Sequence, residues 1–486
     1  MKRFLIILTI TVLLLAQVAA ARAESSSTPD FSAIDSFIQN EMQATHVPGL
    51  ALAIVHKDEV VYLKGYGIAD DSGTPVTPQT PFMLASVSKP FVSPAVMQLV
   101  EAGKVDLDAP VQTYLPWFRV ADEAASAQIT VRMLLNHTSG IPGSAGMEYF
   151  ASDADLETQV HALANVELDR PVGESYEYAN PTYATLALIV QETSGEPFES
   201  YLQNHIFNPL EMSDSFASKD EAANDGLATG HTFALGQPIG LDVPYNRGGV
   251  PYCCIISSAE DLSHFLIMQM NGGEYKSSAI LSSEGIAMMH APAVQEDRPE
   301  RYYGMAWETR PVNGVAAVMH TGEGIGWQAN LIMLEDGWGI VVLANGYDFV
   351  DNTFGAGRIL GIARGVTSLV VGQKPPQAES GSGAIVFYGV LSAIWLIQFF
   401  GMVRTVRLIK RGKDTKKFTG VYLPLLANLL WGGVMIFVVP NVLMPFSLMK
   451  LLAPVLAYTL LASGVTAFVW ALVRTILVTR PAHKTI

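Results

Sequence analysis

The chain has 486 residues, half of them hydrophobic and 15% charged, with a mean hydropathy of +0.28; global disorder, which needs sparse apolar residues and dense charge, is excluded. The net charge of −15 is unevenly spread: the first 23 residues hold three basic side chains, 404–486 holds eleven against one acid, and 24–403 is left with 16 basic and 44 acidic residues, a net of −28. So acidic a region repels phosphate backbones and excludes nucleic acid as a partner, while two adjacent cysteines, Cys253 and Cys254, exclude a disulfide-built scaffold.

In chain order, Lys2 and Arg3 lead into the apolar run Phe4–Ala16, closed by Ala21-Arg22-Ala23. This pattern predicts a secretory signal peptide over 1–23. As an uncleaved anchor the run is too short, since thirteen helical residues cover only ~20 Å of a ~30 Å hydrocarbon core. Ile34, Phe37, Ile38 and Met42 fall at helical spacing. Leu50–Val55 and Val60–Gly65, joined by the polar turn His56–Glu59, read as a β-hairpin. Residues 90–310 read mostly as helices and loops. Val315–Met319, Ala329–Leu334 and Ile340–Ala344 then read as antiparallel strands, with Glu335-Asp336-Gly337 as a turn. Strands at both ends around a helical middle predict an α+β fold, one antiparallel sheet built from both termini with a helical lobe inserted, over 24–371.

The Pro-, Gly- and Ser-rich stretch 372–383 reads as a linker. Beyond it, 384–403, 418–439 and 451–473 are three apolar stretches, each of a length to cross a bilayer, and together they predict a three-helix transmembrane bundle. Seven basic residues lie between the first two stretches and three follow the last, whereas Lys450 stands alone between the second and third. The positive-inside bias therefore puts the first connection and the C-terminus in the cytoplasm and 24–383 outside it, as the leader requires independently. The three stretches contain no Asp or Glu, which removes the usual carriers of an ion relay; Gln398 and Asn428 are explained by interhelical hydrogen bonding.

Candidate chemistry begins with Ser86-Val87-Ser88-Lys89, at the head of a helix-like apolar run. In a first turn, Lys89 shares a face with Ser86. A serine hydroxyl needs a base, and an amine serves only when deprotonated; burial lowers a lysine pKa by up to ~3–5 units, enough to supply one near neutrality. The motif alone is weak, because Ser447-Leu448-Met449-Lys450 has the same spacing between two apolar stretches. Two further elements strengthen it. Tyr178-Ala179-Asn180 offers a phenol, whose pKa a facing Lys⁺ would lower, and an amide for a substrate carbonyl. His320-Thr321-Gly322 closes a predicted strand, where glycine admits a close backbone approach and the strand edge can pair with an extended substrate.

Ser86-x-x-Lys89, Tyr178-x-Asn180 and His320-Thr321-Gly322, in this order, resemble the serine β-lactamase and penicillin-binding-protein superfamily, in particular the branch related to class C β-lactamases and D,D-peptidases. The likeness covers about residues 30–350 and includes Leu134-Leu135-Asn136-His137-Thr138-Ser139-Gly140-Ile141-Pro142 and Ser257-Ser258-Ala259-Glu260-Asp261-Leu262. It implies that Ser86 forms an acyl-enzyme and that Lys89 and Tyr178 relay its proton. It implies also that Asn180, His320, Thr321 and Gly322 bind substrate, and that the backbone N–H groups of Ser86 and Glu323 form the oxyanion hole. It implies no cofactor or metal, and the ten histidines form no H-E-x-x-H cluster. With the leader and terminal stretches, the layout is similar to that of periplasmic peptidases that mature non-ribosomal prodrugs, such as the colibactin-activating peptidase.

Three departures shape the substrate expectation. His320 stands where many relatives have a fixed lysine charge, and Glu323 adds a negative one beside it; carboxylate-bearing β-lactams and D-Ala-D-Ala termini should be disfavoured against esters, neutral amides or amine-bearing peptides. A Glu323 side chain turned to solvent is the alternative. Pro90 and Pro94 follow the nucleophile, and Pro94 removes a helical hydrogen bond. Cys253 and Cys254 stand where related sequences often have small residues, and two free buried thiols are the reading preferred to a vicinal disulfide. His137 reads as satisfying a loop backbone, and Glu174 and Glu177 as solvated. The expected function is a membrane-anchored, extracytoplasmic serine hydrolase for a small-molecule or peptide substrate (peptidase, amidase or esterase). A β-lactamase or D,D-carboxypeptidase, and a non-turnover sensor signalling through the spans, are the alternatives.

Overall fold

The N-terminal hairpin forms as its alternation dictates. β1 (Gly49–His56) and β2 (Glu59–Gly67) are antiparallel, and Lys57 takes the left-handed conformation at the turn. The structure, a computed structural model, describes residues 29–149, 152–376, 382–411, 418–442 and 444–479; the predicted signal peptide, residues 377–381 of the linker, residues 412–417 of the basic connection and the basic tail from 480 lie outside the described residues. Successive side chains of β1 enter different layers: Leu50, Leu52 and Ile54 pack on one face, Ala51, Ala53 and Val55 on the other. A strand buried on both faces belongs in the middle of a sheet, and β1 is hydrogen-bonded on both edges.

The main sheet adds β3 (Val294–Gln295), β4 (Tyr302–Tyr303), β5 (Glu308–Val312), β6 (Val315–Glu323), β7 (Gln328–Leu334) and β8 (Trp338–Ala344). Its order is β2-β1-β8-β7-β6-β5-β4-β3, antiparallel throughout, so the N-terminal hairpin closes onto the C-terminal strands through β1 and β8. β3 and β4 and all of β5 but its last two residues fall within the stretch read as helices and loops. They extend the sheet beyond β6, and at two residues each β3 and β4 are too short to leave an alternation in sequence. One face is covered by α1 (Phe31–Thr45), through Ile34 and Ile38, and by α2 (Arg358–Val370), through Ile362 and Val366. The other carries the helical lobe and the larger core, including α3 (Ala259–Met270), which contributes Phe265 and Leu266.

After the linker the chain is helical. Among the described residues, Gly383–Leu408 and Pro454–Val478 are the two helices long and apolar enough to cross a membrane; between them Tyr422–Val438 is a shorter apolar helix. The third predicted stretch is cut differently from the expectation. A short helix, Phe446–Leu452, ends before the long helix Pro454–Thr479, because proline lacks the N–H that would continue the first helix and clashes with its last turn. Gln398 donates to the Ser463 carbonyl across helices (3.1 Å), whereas Asn428 donates within its own helix to the Pro424 carbonyl (2.7 Å).

Candidate active site

Ser86 sits on a one-turn 3₁₀ helix, Ala85–Ser88, which runs directly into the α-helix Lys89–Glu101. In a 3₁₀ turn residues i and i+3 eclipse, which aligns Lys89 with Ser86 more closely than an α-helical turn does. The turn is clamped at both ends to one residue: the Leu84 N–H donates to the Ile255 carbonyl (2.9 Å), and the Ile255 N–H donates to Ser88 Oγ (3.1 Å). Ala85, just before the nucleophile, has φ +48°, a left-handed conformation that costs a non-glycine residue ~1–2 kcal/mol. Pro90 occupies the first helical turn, where its missing N–H is harmless. Pro94 lies a turn further on, so the hydrogen bond it removes falls beyond the Ser86–Lys89 pair.

Lys89 is fully buried and its Nζ has three oxygens around it: Ser86 Oγ at 3.3 Å, Asn180 Oδ1 at 2.8 Å and the Tyr252 carbonyl at 3.1 Å. Burial pushes its pKa well below the ordinary lysine value. A neutral amine has two N–H bonds and one lone pair. The two shorter contacts take the N–H bonds, which leaves the lone pair toward Ser86, the arrangement a general base requires. Tyr252 was not legible as a partner, because a backbone carbonyl carries no side-chain signature. Its position is fixed by a buried triangle: Asn246 Nδ2 donates to the Tyr252 hydroxyl (2.9 Å), that hydroxyl to Gln159 Oε1 (2.7 Å), and Gln159 Nε2 to Asn246 Oδ1 (2.7 Å).

Tyr178 lines the cavity together with Ser86, and Lys89 Nζ lies 4.6 Å from the Tyr178 ring centre. The expected lowering of the Tyr178 pKa is corrected: burial, with smaller contributions from Glu308 and Glu323, raises it against the opposing Ser86 hydrogen bond. The reason is that the same burial that makes Lys89 a base removes the positive charge that would have favoured a phenolate. Asn180 begins the helix Asn180–Ser194. Its carbonyl oxygen faces Lys89, which turns its amide nitrogen, the group able to donate to a substrate, elsewhere. His137 holds this segment: its Nδ1 accepts from the Ala179 N–H (3.3 Å), and its ring packs tilted against that of Tyr178, with centres 4.4 Å apart. Glu177 is not simply solvated; Arg170 Nε donates to it at 2.7 Å and the Gly143 N–H at 3.2 Å.

β6 presses on the nucleophile turn. A Cβ added at Gly322 would lie 2.1 Å from the Leu84 carbonyl oxygen, so any side chain there would lift the strand away from Ser86. His320, two residues earlier on the same face, is corrected as a substrate ligand. It is buried behind the turn, with Nε2 3.2 Å from the Tyr303 hydroxyl and Nδ1 3.0 Å from the Thr321 carbonyl, and burial lowers its pKa to about 3. Thr321 is half-buried beside Asn330, with Oγ1 3.4 Å from its Oδ1, and His320, Thr321 and Gly322 are all absent from the cavity lining.

That cavity, about 290 Å³, is lined by Ser86, Tyr178, Asn180 and Glu323 on the reactive side and by apolar residues elsewhere, with no Lys or Arg among its described lining residues. Glu323 is at the rim, its carboxylate accepting from the Tyr347 hydroxyl (3.2 Å) and Asn352 Nδ2 (3.3 Å); it is thus exposed and tethered at the cavity at once. Cys253 and Cys254 also line it and are joined as a vicinal disulfide, in place of the expected free thiols. Unforeseen are Met444, Leu448 and Leu452, which reach the cavity from between the apolar helices.

The family model described as Beta-lactamase matches residues 34–363, more than half of the chain. The chain belongs to the β-lactamase family. It is 28% identical over 317 residues to Protein flp of Staphylococcus aureus (strain NCTC 8325 / PS 47), which covers 64% of this chain and 62% of that protein, less than two thirds of its length. It is 30% identical over 313 residues to Penicillin-binding protein 4 of Amycolatopsis lactamdurans, covering 62% of this chain and 81% of that one. The octameric penicillin-binding protein homologue from Pyrococcus abyssi superposes with a TM-score of 0.63 at 27% identity, covering 72% of this chain and 79% of its own. These matches place the chain within the serine β-lactamase and penicillin-binding-protein superfamily, whose members are in general serine hydrolases.

Proposed function

We propose that the protein is a membrane-anchored, extracytoplasmic serine hydrolase that cleaves an amide or ester through an acyl-enzyme on Ser86. The observation that carries this reading is the buried Lys89, whose Nζ lies 2.8 Å from Asn180 Oδ1, 3.1 Å from the Tyr252 carbonyl and 3.3 Å from Ser86 Oγ, an arrangement in which a neutral amine gives its N–H bonds to the first two and its lone pair to Ser86. Ser86 passes its proton to Lys89 Nζ as Oγ attacks the substrate carbonyl. The oxyanion is held by the backbone N–H groups of Ser86 and Glu323, each donor of this kind being worth ~2.7–4 kcal/mol. Tyr178, a neutral phenol, protonates the leaving group and is reprotonated from Lys89. Water then enters, and the same groups run in reverse to release the acid.

Anchoring is supported by the two long apolar helices and by the leader. Sidedness is supported by the basic residues of the first connection and by the short helix Phe446–Leu452, which rests against the catalytic domain on the side where the charge bias puts it. β-Lactam hydrolysis or D,D-carboxypeptidase action is the second reading, favoured by the likeness to Penicillin-binding protein 4. A cavity with no lysine or arginine among its described lining residues and with Glu323 at its rim favours substrates lacking a carboxylate. Turnover of nitrocefin beside neutral esters and D-amino-acid anilides separates the two: the first reading expects kcat/KM for the neutral panel to exceed that for nitrocefin. Fast nitrocefin hydrolysis overturns it, and a stable acyl adduct with no turnover establishes a sensor instead.

A further inference from the structure

The cavity at Ser86 is closed by two parts of the chain far apart in sequence. Val243, Ile325 and Trp327 belong to the catalytic domain; Met444, Leu448 and Leu452 belong to the segment between the helices Tyr422–Val438 and Pro454–Val478. That segment is held in place from both sides. Thr232 Oγ1 donates to the Leu452 carbonyl (3.1 Å), tying it to the catalytic domain, while Met449 packs with Ala457 and Leu460 of the long helix behind it. Leu448, 4% exposed, points where a substrate on Ser86 would lie and not into lipid.

We propose that Met444, Leu448 and Leu452 determine substrate specificity by forming, with Trp327 and Ile325, a subsite for an uncharged apolar group next to the scissile bond. The inference rests on the hydrolase reading above. The apolar walls reject a carboxylate, which would lose its water there and meet no Lys or Arg among the described lining residues. The volume selects size. At about 290 Å³, which must also hold the reacting carbonyl, the cavity is at the small end of ~300–1,000 Å³ ligand sites and takes a short aliphatic or single aromatic group, not a long lipid chain. The subsite is therefore complete only when the membrane-proximal segment is seated, which couples substrate choice to the part of the chain that otherwise reads as an anchor.

The test uses the full chain in detergent and a series of p-nitrophenyl esters from acetate to decanoate, kept below their micelle concentrations, with fluorophosphonate labelling of Ser86 followed in parallel. Wild-type kcat/KM should rise about threefold to fourfold per methylene to about hexanoate and then stop rising. Leu448→Ser and Met444→Ser should each cut the hexanoate-to-acetate ratio at least tenfold; Leu448→Trp, which fills the space, should favour acetate over hexanoate. Leu396→Ala, at an exposed site on the first long helix, should leave the ratio as it is. An unchanged ratio in the Leu448 and Met444 variants, with Ser86 still labelled, overturns the subsite alone, as does an equal change in Leu396→Ala. Absence of labelling and of ester turnover in the wild type overturns the hydrolase reading and the subsite with it.

Discussion

The pattern Ser-x-x-Lys occurs at 86–89 and again at 447–450, and both copies adjoin the same cavity. The first places its lysine at zero exposure against three oxygens, with its pKa far below the ordinary value. The second leaves Ser447 and Lys450 exposed on a short helix whose inward-facing residues are Leu448 and Met449. The spacing brings a hydroxyl and an amine onto one face in both. Desolvation converts that proximity into a base, and nothing in the four letters encodes desolvation. The comparison breaks most sharply under Ser86→Ala, which should abolish fluorophosphonate labelling and cut turnover by ~10³-fold or more, while Ser447→Ala changes neither. Labelling that survives Ser86→Ala would remove the distinction between the two copies.

Lys89→Arg is the next largest effect. A guanidinium keeps its proton at all relevant pH and cannot accept another, so the acylation rate should fall by ~10²–10⁴ although a cation then occupies the site. Lys450→Arg should be silent. If Lys89→Arg kept most of its activity, Lys89 would act by charge alone and the lone-pair argument would fail.

Asn180→Asp sharpens the same point with a smaller change. A carboxylate 2.8 Å from Nζ favours the ammonium and raises the Lys89 pKa by ~1–3 units. The base is competent only above its pKa, so the labelling rate at pH 7 should drop about tenfold or more and recover as pH rises, with the acidic limb of the profile displaced upward. A uniform loss at every pH would mark a role in substrate contact only.

How much of this was legible follows from the same contrast. β1, β2, β6, β7 and β8 have apolar runs that sequence displays, and the order Ser86, Tyr178, His320 suffices to suggest the superfamily. The roles within the site were less legible wherever they depend on backbone or on burial. Tyr252 acts through a carbonyl; His320 is turned inward by a neighbour, Tyr303, seventeen residues away. The direction of the Tyr178 shift was misjudged because it was argued from a charge that burial removes. The Leu448 wall was hidden because an apolar residue between apolar helices has an ordinary explanation in lipid contact, and only the fold shows it at the cavity.

Asp261 tests whether burial by itself makes a functional group. It is 1% exposed, within the Ser257–Leu262 stretch, and its Oδ2 accepts from Ser215 Oγ and from the Asp214 N–H, both at 2.7 Å. Burial raises its pKa from 3.8 to about 7 against the Ser215 hydrogen bond, so between those values the folded chain holds a proton that the unfolded chain releases. Stability from this group is then fully present below about pH 4 and is lost as pH rises through about 7. Asp261→Asn keeps an oxygen for both donors and removes the titration. The variant's melting temperature should therefore fall less than wild type's between pH 4 and pH 7, with Ser86 labelling unaltered at either pH. A parallel change in labelling would link Asp261 to the site; unchanged melting curves would show that its carboxylate remains solvated. The contrast with Lys89 is one of neighbours: both are stripped of water, but Lys89 has a serine hydroxyl facing its lone pair at the cavity, whereas Asp261 only ties the loop residues Asp214 and Ser215 to its own helix.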